Sequence, residues 1–198
     1  MSATYMTVGK PEIMVGPSAR GRVGMFCLIA AEAAIFTIFV VAYLFYVGKS
    51  LTGPTPRDVL SIPIFYTICL LSSSLTIHMA VRALRRGSVQ GFGAWWFATI
   101  ALGAAFLYGT AMEWQRLIYH DGLTISTNLF GTTFYSLVGL HAFHVTVGLI
   151  GLTVILLLTL FGAVKQEDSE RISVFAMYWH FVDAIWVVVL SVVYFITR

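Results

Sequence analysis

Residues Phe130–Val164 read FGTTFYSLVGLHAFHVTVGLIGLTVILLLTLFGAV, without one lysine, arginine, aspartate or glutamate. A straight helix of this stretch would be about 50 Å long at 1.5 Å rise per residue, against roughly 30 Å for the hydrocarbon core of a bilayer. It predicts a helix that crosses the membrane and tilts or projects beyond it. Four more runs have the length to cross: Gly24–Val47, Leu60–Arg82, Phe92–Leu117 and Phe175–Ile196. None alternates apolar and polar residues with period two, so internally bonded helices are expected rather than barrel strands. Five crossings put the two termini on opposite sides. The fold class expected is an all-α integral membrane protein, a five-transmembrane-helix bundle.

Composition agrees. Hydrophobic residues make up 59% of the chain and charged residues 11%, with a mean hydropathy of +0.87, which excludes both a water-soluble domain and a disordered chain. The polar stretches Met1–Val23, Gly48–Val59, Ile118–Leu129 and Lys165–Val174 are too short to bury cores of their own. The expected partition is a cytoplasmic tail, residues 1–23, and a membrane domain, residues 24–198. Lys10, Arg20 and Arg22 resemble the basic region of a secretory signal. The apolar stretch after them, however, is about twice the usual signal core and lacks an Ala-x-Ala end, so a retained first helix is expected.

The basic residues set the expected orientation. Lys10, Arg20, Arg22, Arg82, Arg85, Arg86, Lys165 and Arg171 fall on the N-terminal side, against Lys49, Arg57, Arg116 and Arg198 on the other. The bias places the N-terminus in the cytoplasm, or an organelle matrix, and the C-terminus outside. A formal net charge of +3 thus reads as membrane topology, not as a nucleic-acid surface. Arg82, Arg85 and Arg86 cluster at the cytoplasmic end of the second run, positioned for anionic lipid headgroups or for simple anchoring. Cys27 and Cys69 lie inside apolar runs without the spacing of a metal or redox pair and are expected to be inert thiols.

The ionisable residues inside the runs carry the functional question, because lipid tolerates such groups only when they face protein or a protected cavity. Glu32 sits about 12 Å into the first run beside Ala31 and Ala34, small residues that admit a close helix neighbour. Ser72, Ser73, Ser74 and Thr76 form a polar streak expected to face a protein groove, and His78 lies at a depth shared with Glu32, His180 and Asp183, which permits a polar cluster. Glu113 shares a face with Gly109, and the i,i+3 spacing to Arg116 predicts a local ion pair near the external interface. Trp95, Trp96, Trp114 and Tyr119 fit an interfacial aromatic belt. His141 and His144 share a face of the fourth run and are expected to donate to neighbouring helices; no cysteine or His-Glu-x-x-His sequence completes a metal set around them. His180 and Asp183 are spaced to interact at i,i+3, with Trp179 and Trp186 on a neighbouring face. No nucleophile or oxyanion hole accompanies them, which excludes a hydrolase reading.

Tyr178-Trp-His-Phe-Val-Asp-Ala-Ile-Trp186 and Phe130-Gly-Thr-Thr-Phe-Tyr-Ser-Leu-Val-Gly-Leu-His-Ala-Phe-His-Val-Thr-Val-Gly148 together resemble subunit III of the haem–copper respiratory oxidases. The resemblance extends through Ser72–Thr76, Glu113 and Ala31-Glu32, covering nearly the whole chain, and its length matches the short form that lacks the family's first two helices. The chain departs from the family at Thr110, often Gln there, at Trp114, often Tyr, and at Ser173, where a carboxylate often stands. The resemblance implies a non-catalytic subunit that binds no haem, copper or other metal itself. The haem and copper would lie in partner subunits that reduce dioxygen to water and pump protons. It implies subunit I as direct partner, with subunit II and a small subunit IV as an option, and bound phospholipid. Glu32 matches the family's buried acid; His141, His144, His180 and Asp183 match its polar packing motifs, and Glu113 its helix-three acid. The implied roles are assembly, lipid holding near an oxygen-access route and sustained proton uptake, in a bacterial plasma membrane rather than a mitochondrial inner membrane. A free-standing transporter using Glu32, Glu113 and Asp183 is the alternative the residues leave open.

Overall fold

The computed structural model describes residues 17–50 and 53–196. Lys10 and Arg198, counted above for orientation, lie outside them, as does the side chain of Arg57. Five of its helices are long and apolar enough to cross a membrane. They are α1 (Pro17–Tyr46), α3 (Ile64–Arg85), α4 (Val89–Tyr119), α5 (Leu129–Leu160) and α6 (Ser169–Leu190), with a short α2 (Pro56–Val59) in the first connection. A π-helical turn, Ser191–Ile196, continues α6.

Local chemistry shifts the helix ends away from the ends of the apolar runs. The first helix starts at Pro17, a residue suited to the first turn because its missing N–H would have no partner there. Ser88 caps α4 by accepting from Gly91 N at 3.2 Å, and Asn128 caps α5 by accepting from Gly131 N at 2.8 Å, each satisfying an orphan donor. At the end of α3, Gly87 adopts φ +82. Its N–H donates to Leu84 O while Ser88 N donates to Ala83 O. Gly162, φ +73, ends α5 with the same pair of bonds, to Thr159 O and Leu158 O. Both are Schellman closures, which require the left-handed conformation that glycine adopts without cost.

The stretch Lys165–Val174, expected as a loop, is mostly helical. A 3-10 turn at Gln166–Asp168 leads directly into α6. Asp168 accepts from Lys165 N at 3.1 Å, and Glu170 stands in the first turn of α6, where the helix dipole favours an acid.

The bundle has three layers. The most extensive pairing joins α3 to α4; α3 also packs on α6 and α4 on α5, while α1 packs on the other side of α5 and α6. Successive long helices run up and down. Arg22 at the start of α1 and Arg85 at the end of α3 both meet Glu170, and Gln166 Nε2 donates to Arg85 O at 2.8 Å. Arg20, Arg22, Arg82, Arg85, Arg86, Lys165 and Arg171 therefore gather at one end, with Lys49 and Arg116 at the other.

At the centre, the buried Trp179 ring lies where α3, α4, α5 and α6 meet. A Cβ on Gly103 of α4 would fall 2.9 Å from it and a Cβ on Gly148 of α5 2.8 Å, so these two glycines form the slot that admits the indole. Its Nε1 donates to Ser73 on α3 at 2.8 Å. Trp186 donates to Thr67 at 3.2 Å and Trp96 to Leu152 O at 2.9 Å. Trp96, expected at the membrane interface, is instead fully buried; Trp95 and Tyr119 are the exposed members of the expected belt. Facing outward are Phe26, Ile38, Phe45, Phe65, Leu75 and Phe161, a surface suited to lipid rather than water.

Candidate functional site: cross-helix polar contacts

Glu32 of α1 meets His144 of α5, Oε2 to Nε2, at 3.0 Å. The opposite ring nitrogen, Nδ1, lies 2.7 Å from Leu140 O. A carbonyl oxygen only accepts, so Nδ1 carries a proton. Nε2 then either accepts from a protonated Glu32 or, as part of an imidazolium, donates to its carboxylate. In both states the pair shares one proton and is neutral overall, which lowers the cost of holding it at membrane depth. Phe36 packs on the imidazole at 5.0 Å between centroids, and Tyr178 OH of α6 donates to His144 O at 3.1 Å. The contact thus joins all three helices of this side of the bundle. It opens on a groove of about 360 Å³ whose walls include Met25, Leu28, Phe143, Val147 and Phe175.

A second contact joins α3 to α6. Ser74 Oγ donates to Asp183 Oδ2 and lies 3.0 Å from His180 Nδ1. A hydroxyl has one proton; having given it to the carboxylate, Ser74 accepts from His180 Nδ1–H. His180 and Asp183 are therefore coupled through a serine on another helix, not directly at i,i+3. Asp183 Oδ1 is buried without a partner.

The third contact corrects the expected ion pair of Glu113 with Arg116. Tyr194 OH, on the π-helical turn, donates to Glu113 at 3.0 Å and 3.1 Å, one oxygen each. Arg116 makes its contacts elsewhere, donating to Val59 O at 2.5 Å and Ser61 Oγ at 3.3 Å, with Asp121 at 3.6 Å. The i,i+3 rule treats a helix in isolation; here the Val59 carbonyl competes for the guanidinium. The wider π turn carries three consecutive buried residues, Val192, Val193 and Tyr194, a local re-aiming of side chains characteristic of such turns.

His141 behaves differently from His144. Both its ring nitrogens are buried without hydrogen-bond partners, so the expectation that it donates to a neighbouring helix fails. It stacks on Trp186 at 5.0 Å, with Phe106 at 5.7 Å and Phe36 at 6.5 Å. Aromatic packing displaces hydrogen bonding here. Among the described residues no three His, Cys, Asp or Glu side chains gather as a metal-ligand set. His78 lies apart from Glu32, near His180 on the α3–α6 face; the polar groups of shared depth divide into two sites. Cys27 and Cys69 are free thiols.

The partners that motif spacing did not reveal are Tyr194, Ser74 as a bridge, and the hydroxyls under the tryptophans. The Ser72–Thr76 streak pointed to a polar face on α3, where Thr76 also meets Thr99 of α4 at 2.7 Å, but not to which residues it would meet.

The geometry agrees with what the chain matches. The family model described as Cytochrome c oxidase subunit III covers residues 17–198. A cytochrome c oxidase subunit 3 of Alkalihalophilus pseudofirmus is 32% identical over 173 residues, 86% of this chain and 84% of the relative. A quinol oxidase subunit 3 of Bacillus subtilis is 30% identical over 173 residues, with the same coverage of each chain. A cytochrome c oxidase subunit 3 of Synechocystis is 34% identical over 202 residues, 98% of this chain and 83% of the relative. The chain belongs to the cytochrome c oxidase subunit III family.

Proposed function

We propose that this chain is the non-catalytic third subunit of a proton-pumping haem–copper terminal oxidase in a bacterial plasma membrane, with its N-terminus in the cytoplasm and its C-terminus outside. Subunit I is its direct neighbour, with subunit II and optionally a small subunit IV in the complex. Haem and copper belong to those partners, which reduce dioxygen to water. This chain supports assembly, holds phospholipid beside an oxygen-access route and sustains proton uptake. Residues 1–23 form the cytoplasmic region and 24–198 the membrane domain. The single observation that carries the reading is the family match over residues 17–198, and the bacterial relatives support the location.

The residue roles follow the contacts described above. Glu32 and His144 fix α1 to α5 at the mouth of an apolar groove, which suits an acyl chain. Ser74, His180 and Asp183 hold α3 to α6, Glu113 and Tyr194 hold α4 to the end of α6, and His141 is packing. Each carboxylate is engaged in its own helix pair, and among the described residues no carboxylate in the membrane touches another. That separation favours a packing subunit over the transporter alternative, which needs a connected polar route.

The test compares the purified oxidase with and without this chain. Initial dioxygen reduction should persist when it is removed, while activity declines faster over repeated turnovers. Immediate loss of all dioxygen reduction from an otherwise intact complex would contradict a supporting role. Proton or solute transport by the purified chain alone in liposomes would favour the alternative.

A further inference from the structure

On the face where α3 packs on α6, at the arginine-rich end of the bundle, lies a cavity of about 320 Å³ lined by His78, Arg82, Arg85, Ser173, Met177 and His180. It is separate from the Glu32 groove, which α1, α5 and α6 form. Its volume is near the lower end for small-molecule sites, roughly 300–1,000 Å³. Its lining is unusual for the outer face of a membrane bundle. Other exposed hydroxyls at membrane depth, including Thr37, Thr146, Thr153 and Ser191, return their protons to carbonyls one helical turn back and need nothing further. His78 and Arg82 have no hydrogen-bond or ion-pair partner among the described residues, although both are exposed. Among the described residues His180 uses only Nδ1, toward Ser74, and its Nε2 is an acceptor at the cavity wall. Arg85 is engaged by Glu170 at 3.5 Å, through one edge of a guanidinium that has five donors.

The depth of these groups has a pattern. Arg85 and Arg82 lie in the last turn of α3, and His78 lies one turn deeper, about 6 Å below Arg82 at 1.5 Å per residue. Two guanidiniums at the mouth suit the oxygens of a phosphate, which they bind through paired, charge-assisted hydrogen bonds. The His78 imidazole beneath, through a ring N–H, suits the polar oxygens that join a headgroup to its chains. We propose that this cavity is a seat for the phosphodiester headgroup of an anionic phospholipid, with Arg82 and Arg85 on the phosphate and His78 on the ester oxygens below. Arg86, also exposed at this end, does not line the cavity and takes no part. The inference rests on the membrane-spanning reading, which brings the ends of α3 and α6 to the headgroup layer; it does not depend on the chain's oxidase partner.

The test uses the full chain, in whatever complex it purifies with, stripped of lipid in mild detergent. It is then returned to nanodiscs containing phosphatidylglycerol or phosphatidylcholine, and retained lipid is counted by native mass spectrometry. Phosphatidylglycerol should be retained preferentially, and Arg82→Gln should weaken its retention about tenfold, the loss of one charge-assisted contact. His78→Leu should weaken it as well, while Arg86→Gln should leave it unchanged. Adding inorganic phosphate as competitor distinguishes the sources. No displacement supports a lipid seat; displacement with phosphatidylglycerol otherwise unretained would overturn the lipid assignment in favour of a soluble phosphate. Equal retention by wild type, Arg82→Gln and Arg82→Lys, all with unchanged helicity, would overturn the site. Loss of a partner subunit from Arg82→Gln without change in lipid would assign the arginines to a protein carboxylate and overturn it too. Haem content, read on the same preparations, reports separately on the oxidase reading.

Discussion

Glu32→Ala and His144→Leu, singly and together, probe the contact that holds α1 to the rest of the bundle. The Glu32 side chain is 22% exposed and that of His144 8%, so neither loses its partner to full hydration. Removing Glu32 leaves Nε2 of a buried imidazole unsatisfied, a penalty of about 1–3 kcal/mol. Removing His144 does the same to the acid. The direct interaction is smaller than either loss, because unfolded helices in a membrane find other partners; such bonds average roughly 0.6 kcal/mol and reach about 1.7 kcal/mol. The shared proton places this pair in the upper part of that range, and a coupling of about 1 kcal/mol is expected, with the double variant losing less than the sum. Reversible unfolding in mixed micelles, followed by helicity, measures all four proteins. Thr37→Val supplies the control, since Thr37 Oγ1 donates to Ala33 O at 2.7 Å within its own helix and should be additive with His144→Leu. Additivity of Glu32→Ala and His144→Leu within about 0.3–0.5 kcal/mol would refute the pairing.

Other consequences follow from particular contacts. Ser74→Ala should remove the coupling between His180 and Asp183 in a double-variant cycle and cost about 1–3 kcal/mol, since the buried Asp183 would lose a donor; persistence of the coupling would mean the two interact directly. Gly148→Ala would bring a methyl within 2.8 Å of the Trp179 ring and should destabilise by about 1–3 kcal/mol through overpacking, with a change in tryptophan fluorescence as a second readout. Tyr194→Phe should destabilise the junction of α4 and α6 by about 1–2 kcal/mol, whereas Arg116→Ala should spare that junction and loosen residues 59–61. Hydrogen exchange resolves the two regions.

The five crossings were legible because hydrophobic length alone determines them: lipid leaves backbone groups no partner outside the helix. Helix ends were less so, because Ser88, Asn128, Gly87 and Gly162 act through hydrogen bonds that hydropathy does not register. The acidic stretch before α6 misled for the same reason, since Glu170 and Asp168 are polar yet stabilise a helix start. Within the site, the residues were visible as charges in apolar runs, but their partners were not. Glu113 has a basic neighbour at i,i+3 and still bonds Tyr194, 81 positions away, because a π turn brings that hydroxyl into reach. Trp96 has the composition of an interfacial belt, and Trp179 and Trp186 lie on a face that spacing alone leaves open to lipid or to other helices; only the cross-helix acceptors and the glycines beside Trp179 reveal them as core.

The central claim is that this chain is a lipid-embedded subunit whose redox centres belong to its partners. Optical difference spectra of the chain purified in mild detergent with its complex, and of the same chain separated from it, test this directly. The account predicts a haem signal in the complex and none from the separated, folded chain. Stoichiometric haem retained by the separated chain, or a pure complex without haem, would contradict it.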